Sequence, residues 1–187
     1  MFQGMDGKGR FGVLAVASSD PVMSLLGPIG LAAAAGTALV VDMGRGVRIP
    51  PRRTLADIAT DGPRLAELAP GRRGVAFVSA HGLAAGQVAE LVGRLSMHWP
   101  AVVIRIGDSA WEGPTVPLIP LYPGWLAPDH EGAAVWQSMP GGSRPPGPGP
   151  VLPNPGRVMI ARVLGGGLPR RDRWVRAWLQ AWEMPWA

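Results

Sequence analysis

The sequence predicts an α/β domain whose doubly wound, mostly parallel sheet is covered by helices on both faces. Three observations carry that expectation. Short β-rich runs alternate with helical stretches along the chain. Most of the runs are apolar on successive residues, the pattern of strands buried on both sides. The 187 residues, 47% of them hydrophobic, suffice for a single domain that buries about 70% of its unfolded surface.

The strands are expected at Phe11–Ala17, Ala38–Asp42, Gly74–Ser79 and Ala101–Ile106. Val116–Leu121 reads as a weaker strand, because Pro117 and Pro120 cannot donate ladder hydrogen bonds; an edge position tolerates them. Arg157–Leu164 is expected as a last strand. Among the helices, Val88, Leu91, Val92 and Leu95 fall at i, i+3, i+4 and i+7, an amphipathic stripe. Thr54 and Asp57 have the spacing of an N-terminal cap for a short helix through Ala59. Pro28 suits the first turn of a helix that stops at Gly36, and Asp172–Glu183 closes the chain as a Trp-rich helix. Residues 1–10 read as a flexible tail. Gly and Pro make up most of residues 140–156, which predicts a mobile or polyproline-like loop inserted within the domain.

Composition narrows the class. No apolar run reaches the roughly 18 residues that cross a bilayer, since Gly27, Pro28, Gly30 and Gly36 interrupt Val22–Val41. The first residues lack the basic start and apolar centre of a signal peptide. Cysteine is absent, which removes disulfide and thiolate chemistry and fits a cytoplasmic protein. The net charge of +5 can draw a chain to nucleic acid or acidic surfaces. Here Lys8 is the only lysine, and arginine-for-lysine usage alongside abundant Ala, Gly and Pro accounts for the balance without a partner.

In a parallel α/β domain ligands bind beyond the carboxyl ends of the strands. The residues there are Ser18, Ser19, Asp20 and Pro21 after the first strand, Asp42 and Gly44 after the second, and Arg105 at the end of the fourth. The order of elements from about residue 11 to 125 resembles the MinD/ParA partition ATPases and their pilus-assembly relatives, the CpaE/TadZ group. Their first strand leads into a deviant Walker A loop, K-G-G-x-G-K-S/T, and their second ends as V-D-x-D. A segment like L-A-D-L follows, echoed by Leu55-Ala56-Asp57-Ile58. A later strand then ends in the Walker B aspartate.

The resemblance implies a P-loop-NTPase-like, Rossmann-like fold, and the departures bear on function. A phosphate cradle needs converging backbone N–H groups and a lysine. Here Pro21 removes a donor, Asp20 repels phosphate, Met23 brings a side chain and no lysine is present. Gly44 replaces the companion of Asp42, and Arg105 stands where the family has its Mg-linked carboxylate; a cation cannot hold Mg²⁺. The expectation is a chain without nucleotide or metal cofactor and without catalysis, acting as a protein-interaction scaffold in pilus assembly, secretion or spatial organisation. The alternative is a DNA-associated accessory protein of ParA-like or degraded RecA-like type, using its arginine-rich surfaces. Many relatives dimerise across the nucleotide, so its loss leaves the oligomeric state open.

Other constellations carry less. Gly7-Lys8-Gly9 precedes the first strand, whereas a P-loop follows one. Asp42, Arg45, Asp108 and Glu112 lie near the strand ends, yet their spacing demands no acid–base pair. His81, His98 and His130 show no metal-ligand spacing, and Ser79-Ala80-His81-Gly82 lacks the nucleophile elbow. Arg45, Arg48, Arg52 and Arg53 read as a solvated basic loop. Trp174, Trp178 and Trp182 recur at i, i+4 and i+8, which places three indoles on one helix face. Such a stripe packs onto the sheet; the alternative is a docking face for a protein partner. In that case Arg170, Arg171, Arg173 and Arg176 alongside would suit an acidic partner or a membrane surface.

Overall fold

A computed structural model describes residues 11–44, 54–62, 64, 74–107, 110–124, 130–164, 167 and 169–186. Among the described residues seven strands form one sheet: β1 (Val13–Ala17), β2 (Thr37–Asp42), β3 (Gly74–Ser79), β4 (Val102–Arg105), β5 (Thr115–Leu121), β6 (Val135–Ser138) and β7 (Val151–Leu152). Their order is β3-β2-β4-β1-β5-β6-β7, and every pairing is parallel. The helices among the described residues are α1 (Pro21–Ala35), α2 (Leu55–Asp61), α3 (Ala85–Leu95), α4 (Arg157–Leu164), α5 (Arg173–Ala177) and α6 (Leu179–Trp182).

The continuous apolar strands supply two cores, because successive side chains point to opposite faces. Leu14, Val16, Val40 and Val103 face one side with Leu26 and Leu31 of α1, Met159 of α4 and Trp174 and Trp178. Ala15, Leu39, Val41, Val102 and Ile104 face the other with Leu55 and Ile58 of α2 and Val88, Val92 and Leu95 of α3. The doubly wound α/β expectation therefore holds, with helices on both faces. The cap on α2 forms as the spacing implies: Thr54 Oγ1 accepts the Asp57 N–H and Asp57 accepts the Thr54 N–H.

Several elements differ from the sequence reading. Arg157–Leu164 is not a strand but the helix α4, burying only Met159 and Val163. Those two lie at i and i+4, so one helical stripe is inward and the rest outward. The last strands are instead β6 and β7, short runs that propensity hides. Val116–Leu121 lies within β5, which is interior rather than at an edge. Its prolines are tolerated because β1 pairs with Thr115–Pro117 and β6 with Leu118–Leu121, so neither proline sits where both neighbours pair.

The Pro/Gly-rich segment 140–156 is hydrogen-bonded to the sheet and contains β7. Pro148 and Pro150 carbonyls accept the N–H groups of Ala134 and Trp136, and Trp136 Nε1 donates to the Pro148 carbonyl at 3.2 Å. Finally, α1 begins at Pro21 rather than Pro28. Asp20 caps it, Pro21 occupies the first turn, and Pro28 lies inside. The stop at Gly36 holds, with φ 82°, a left-handed conformation that glycine adopts without strain. Residues 1–10, which include Gly7-Lys8-Gly9, lie outside the described residues.

Candidate functional site at the strand ends

The connection leaving β1 runs toward β2, whereas the one leaving β4 runs the other way, to β5. The chain thus reverses direction at the centre of the sheet, and the crevice beyond such a reversal is where this architecture binds ligands. The ends of β1, β2 and β4 meet the N-terminus of α1 there. The strand-end residues named from sequence come to this place. Ser18 and Asp20 engage each other after β1, and Asp42, Gly44 and Arg105 engage one another at the ends of β2 and β4, while Ser19 and Pro21 are exposed beside them.

Only Ser18, Ser19 and Asp20 separate β1 from α1. A phosphate cradle is a longer loop whose N–H groups point into one concavity; a connection this tight has no such loop. The Asp20 N–H donates to Ser18 Oγ at 3.3 Å. Asp20 Oδ1 accepts the Met23 N–H at 2.8 Å, so a carboxylate of the chain itself takes the positive end of the helix. Its other oxygen, Oδ2, accepts the Tyr122 hydroxyl at 2.5 Å. Tyr122, the sole tyrosine, follows the end of β5. Its bond to the Asp20 carboxylate, then burial, then the Asp20 charge push its pKa from 10.0 up to about 12.

On the other side Arg105 and Asp42 are both buried, at 4% exposure each. Arg105 Nη1 donates to Asp42 Oδ1 at 3.2 Å and Oδ2 at 3.3 Å, and Arg105 Nε donates to Ser24 Oγ of α1 at 3.4 Å. Asp42 Oδ1 also accepts the Gly44 N–H at 2.9 Å. A Cβ on Gly44 would lie 2.8 Å from Arg105 Cζ, so the guanidinium lies across that glycine and needs its missing side chain. Gly44 and Arg105, two separate departures in the sequence, are one packing solution. The network has a cation at its centre, a carboxylate that neutralises it and a hydroxyl from the helix.

Sequence reasoning missed Ser24, Tyr122 and Gln137. Ser24 was hidden by the late helix start, yet it stands four residues after the Asp20 cap, on the turn that the cap initiates. Gln137, fully buried on β6, donates from Nε2 to the Ser138 and Pro153 carbonyls at 2.8 and 3.0 Å. Its Oε1 accepts Trp174 Nε1 at 2.6 Å. No motif signals such a residue, because its role depends on β6 being a strand.

The remaining candidates do not converge. Glu112, His81 and His98 are exposed, and Ser79 is buried with its hydroxyl accepting the His81 N–H. His130 packs edge-on against Trp136 at 6.5 Å. Among the described residues no cluster of His, Asp and Glu is placed to hold a metal ion. Arg45, Arg48, Arg52, Arg53 and Asp108 lie outside the described residues.

The tryptophan stripe is core. Trp174 and Trp178 are buried, meet edge to face at 5.8 Å, and press on Gly30 of α1. Trp182 is half-buried, donating from Nε1 to the Leu31 carbonyl at 3.0 Å and meeting Phe11 at 5.3 Å. Docking through Trp174 and Trp178 is thereby corrected: closing the sheet face occupies them. Arg170 donates to the Gly36 carbonyl at 2.7 Å and so caps the end of α1, while Arg171 is exposed.

The molecule is an all-parallel α/β domain with its strand-end crevice laced by its own charges. Compared with protein-family models, curated proteins and solved structures, the chain shows no match to any of them. No helix among the described residues is long and apolar enough to cross a membrane.

Proposed function

We propose that this chain is a non-catalytic relative of the MinD/ParA-type partition ATPases, of the CpaE/TadZ kind. It works as a protein-binding scaffold in pilus assembly, secretion or spatial organisation. One observation carries the reading: at the strand ends, Arg105, paired with Asp42 and bonded to Ser24, sits at the position the resemblance gives to the metal-linked carboxylate. The Asp20 carboxylate meanwhile holds the helix N-terminus where a phosphate would bind. An internal cation and an internal anion together leave Mg-nucleotide without a charge to neutralise.

The test is isothermal calorimetry and thermal unfolding of the full chain with and without Mg-ATP. No heat of binding, no shift in Tm and no phosphate release are expected. Binding at micromolar ATP would sink the reading.

A further inference from the structure

We propose that the outer surface of α4, α5 and α6 is a docking face for an acidic protein segment that also carries apolar side chains. The inference rests on the scaffold reading in one respect only, that the partner is a protein. It supplies that reading with a surface and a partner chemistry.

The three helices lie on the α1 side of the sheet. They turn Met159, Val163, Trp174, Val175, Trp178 and Ala181 inward. What they turn outward is basic: Arg157, Arg162, Arg173 and Arg176 are exposed. Among the described residues, no acidic side chain pairs with any of these four. Asp172 is engaged as the cap of α5, accepting the Trp174 N–H. The opposite layer has a different balance, with Asp57, Asp61 and Glu90 exposed on α2 and α3 and Arg94 paired to Glu90 at 2.6 Å.

The same outer surface is also apolar. Val158 is 76% and Leu164 56% exposed. With Leu179 they are three of the six large apolar side chains found exposed among the described residues. On α4 the spacing puts Arg157 and Leu164 at i and i+7, and Val158 and Arg162 at i and i+4, so on the outward side each arginine is in line with an apolar residue. Apolar residues gathered with arginine, rather than scattered singly, are the composition of a binding patch.

Both properties together select the occupant. A nucleic-acid backbone would use the arginines and leave Val158 and Leu164 in water. A bilayer surface favours a helix that lays aromatic and aliphatic residues into the lipid boundary. Here α4 carries no aromatic residue, and Trp174 and Trp178 face the core. An acidic segment bearing Leu or Ile satisfies both. Its carboxylates meet the planar, bidentate guanidinium forks, and its apolar residues cover Val158 and Leu164.

The test uses the full chain and a fluorescein-labelled synthetic peptide with Glu and Leu at amphipathic helical spacing. Polyglutamate of equal length, phosphatidylcholine vesicles containing phosphatidylglycerol, and duplex DNA are run in parallel. Salt-sensitive binding of the Glu/Leu peptide is expected, weakened about tenfold or more by R162E/R173E/R176E, since reversing charge at an interface adds repulsion to the lost pairing. Val158→Ser with Leu164→Ser is expected to weaken it severalfold, and Arg94→Glu on the opposite layer to leave it unchanged. All these positions are exposed, and an unchanged Tm confirms folding; R162E alone serves if the triple variant fails that check.

Four results would each overturn the proposal: no peptide binding; polyglutamate binding as tightly as the Glu/Leu peptide; equal weakening by Arg94→Glu; or tighter binding to the vesicles or DNA through the same arginines. Nucleotide is absent throughout. Mg-ATP binding found by calorimetry would therefore remove the non-catalytic reading and leave this face standing, and the converse holds for a failed peptide assay.

Discussion

Arg105 and Asp42 depend on each other because both are out of water. Removing one partner of a buried pair strands the other charge, at a cost of about 3–5 kcal/mol. Arg105→Ala is therefore expected to lose about that much stability in urea unfolding, with the Asp42 carboxylate left buried without its cation. The double variant Arg105→Met with Asp42→Asn should be more stable than Arg105→Ala alone, since no charge remains and Asn still accepts the Gly44 N–H. Tyr122 offers a second check. Its hydroxyl bonds Asp20 only while protonated, and folding raises its pKa from 10.0 to about 12. A group raised in this way stabilises fully below its unfolded pKa and loses that contribution as pH rises through the folded value. Tyr122→Phe should thus be less stable than the parent by about 1 kcal/mol below pH 10.0. The gap should close as the pH rises toward 12, as measured by urea unfolding on both sides of that window. Asp20, Asp42, Gly44 and Arg105 were legible in the sequence as departures from a pattern. Their union was not, because the residues that join them, Ser24 and Tyr122, carry no signal until α1 and β5 are in place.

At the scale of elements, α1 is where local propensity and packing compete most openly. Gly27 and Gly30 weaken a helix intrinsically, and Pro28 removes a hydrogen bond from its interior. They persist because the helix is buried on nearly every side. A Cβ on Gly27 would meet Leu118 at 2.5 Å, and one on Gly30 would meet Trp174 Cη2 at 2.5 Å. Gly30→Ala should gain up to about 1 kcal/mol of helix propensity and lose more to overpacking, which costs about 1–3 kcal/mol or beyond. A lower denaturant midpoint is the expected sign; a higher one would mean the indoles move aside freely. The same contest explains the misreading of α4. Its apolar run reads as a strand by composition, but as a helix it buries Met159 and Val163, with Ile160 partly covered, against the α1 side of the core.

At the scale of the molecule, the C-terminal helices are part of the core rather than an appendage. Trp174 and Trp178 sit on the glycine notch of α1, and Trp174 also closes the Gln137 network that joins β6 to the turn after β7. A chain ended after Pro169 would expose Leu26, Leu31 and that notch to water. It is expected to lose cooperative thermal unfolding and to bind the dye ANS, the behaviour of a collapsed but unpacked state. Charge follows the same logic of scale. The net +5 says only that the chain is basic; the fold decides that α4, α5 and α6 present exposed arginines together on the α1 side.

What the sequence by itself determined is the class of fold. Doubly apolar runs leave a parallel sheet with two covered faces as the way to remove them from water, and that physics is local to each run. It also determined the positions beyond the strand ends, since topology places ligand sites there whatever their residues. Only the tertiary structure decided that Arg105 fills the crevice by pairing with Asp42 and Ser24, and that Trp174 and Trp178 belong to the core. A hydrogen bond between residues 63 or 81 positions apart has no trace in spacing, and a side chain is buried or exposed only once something else covers it.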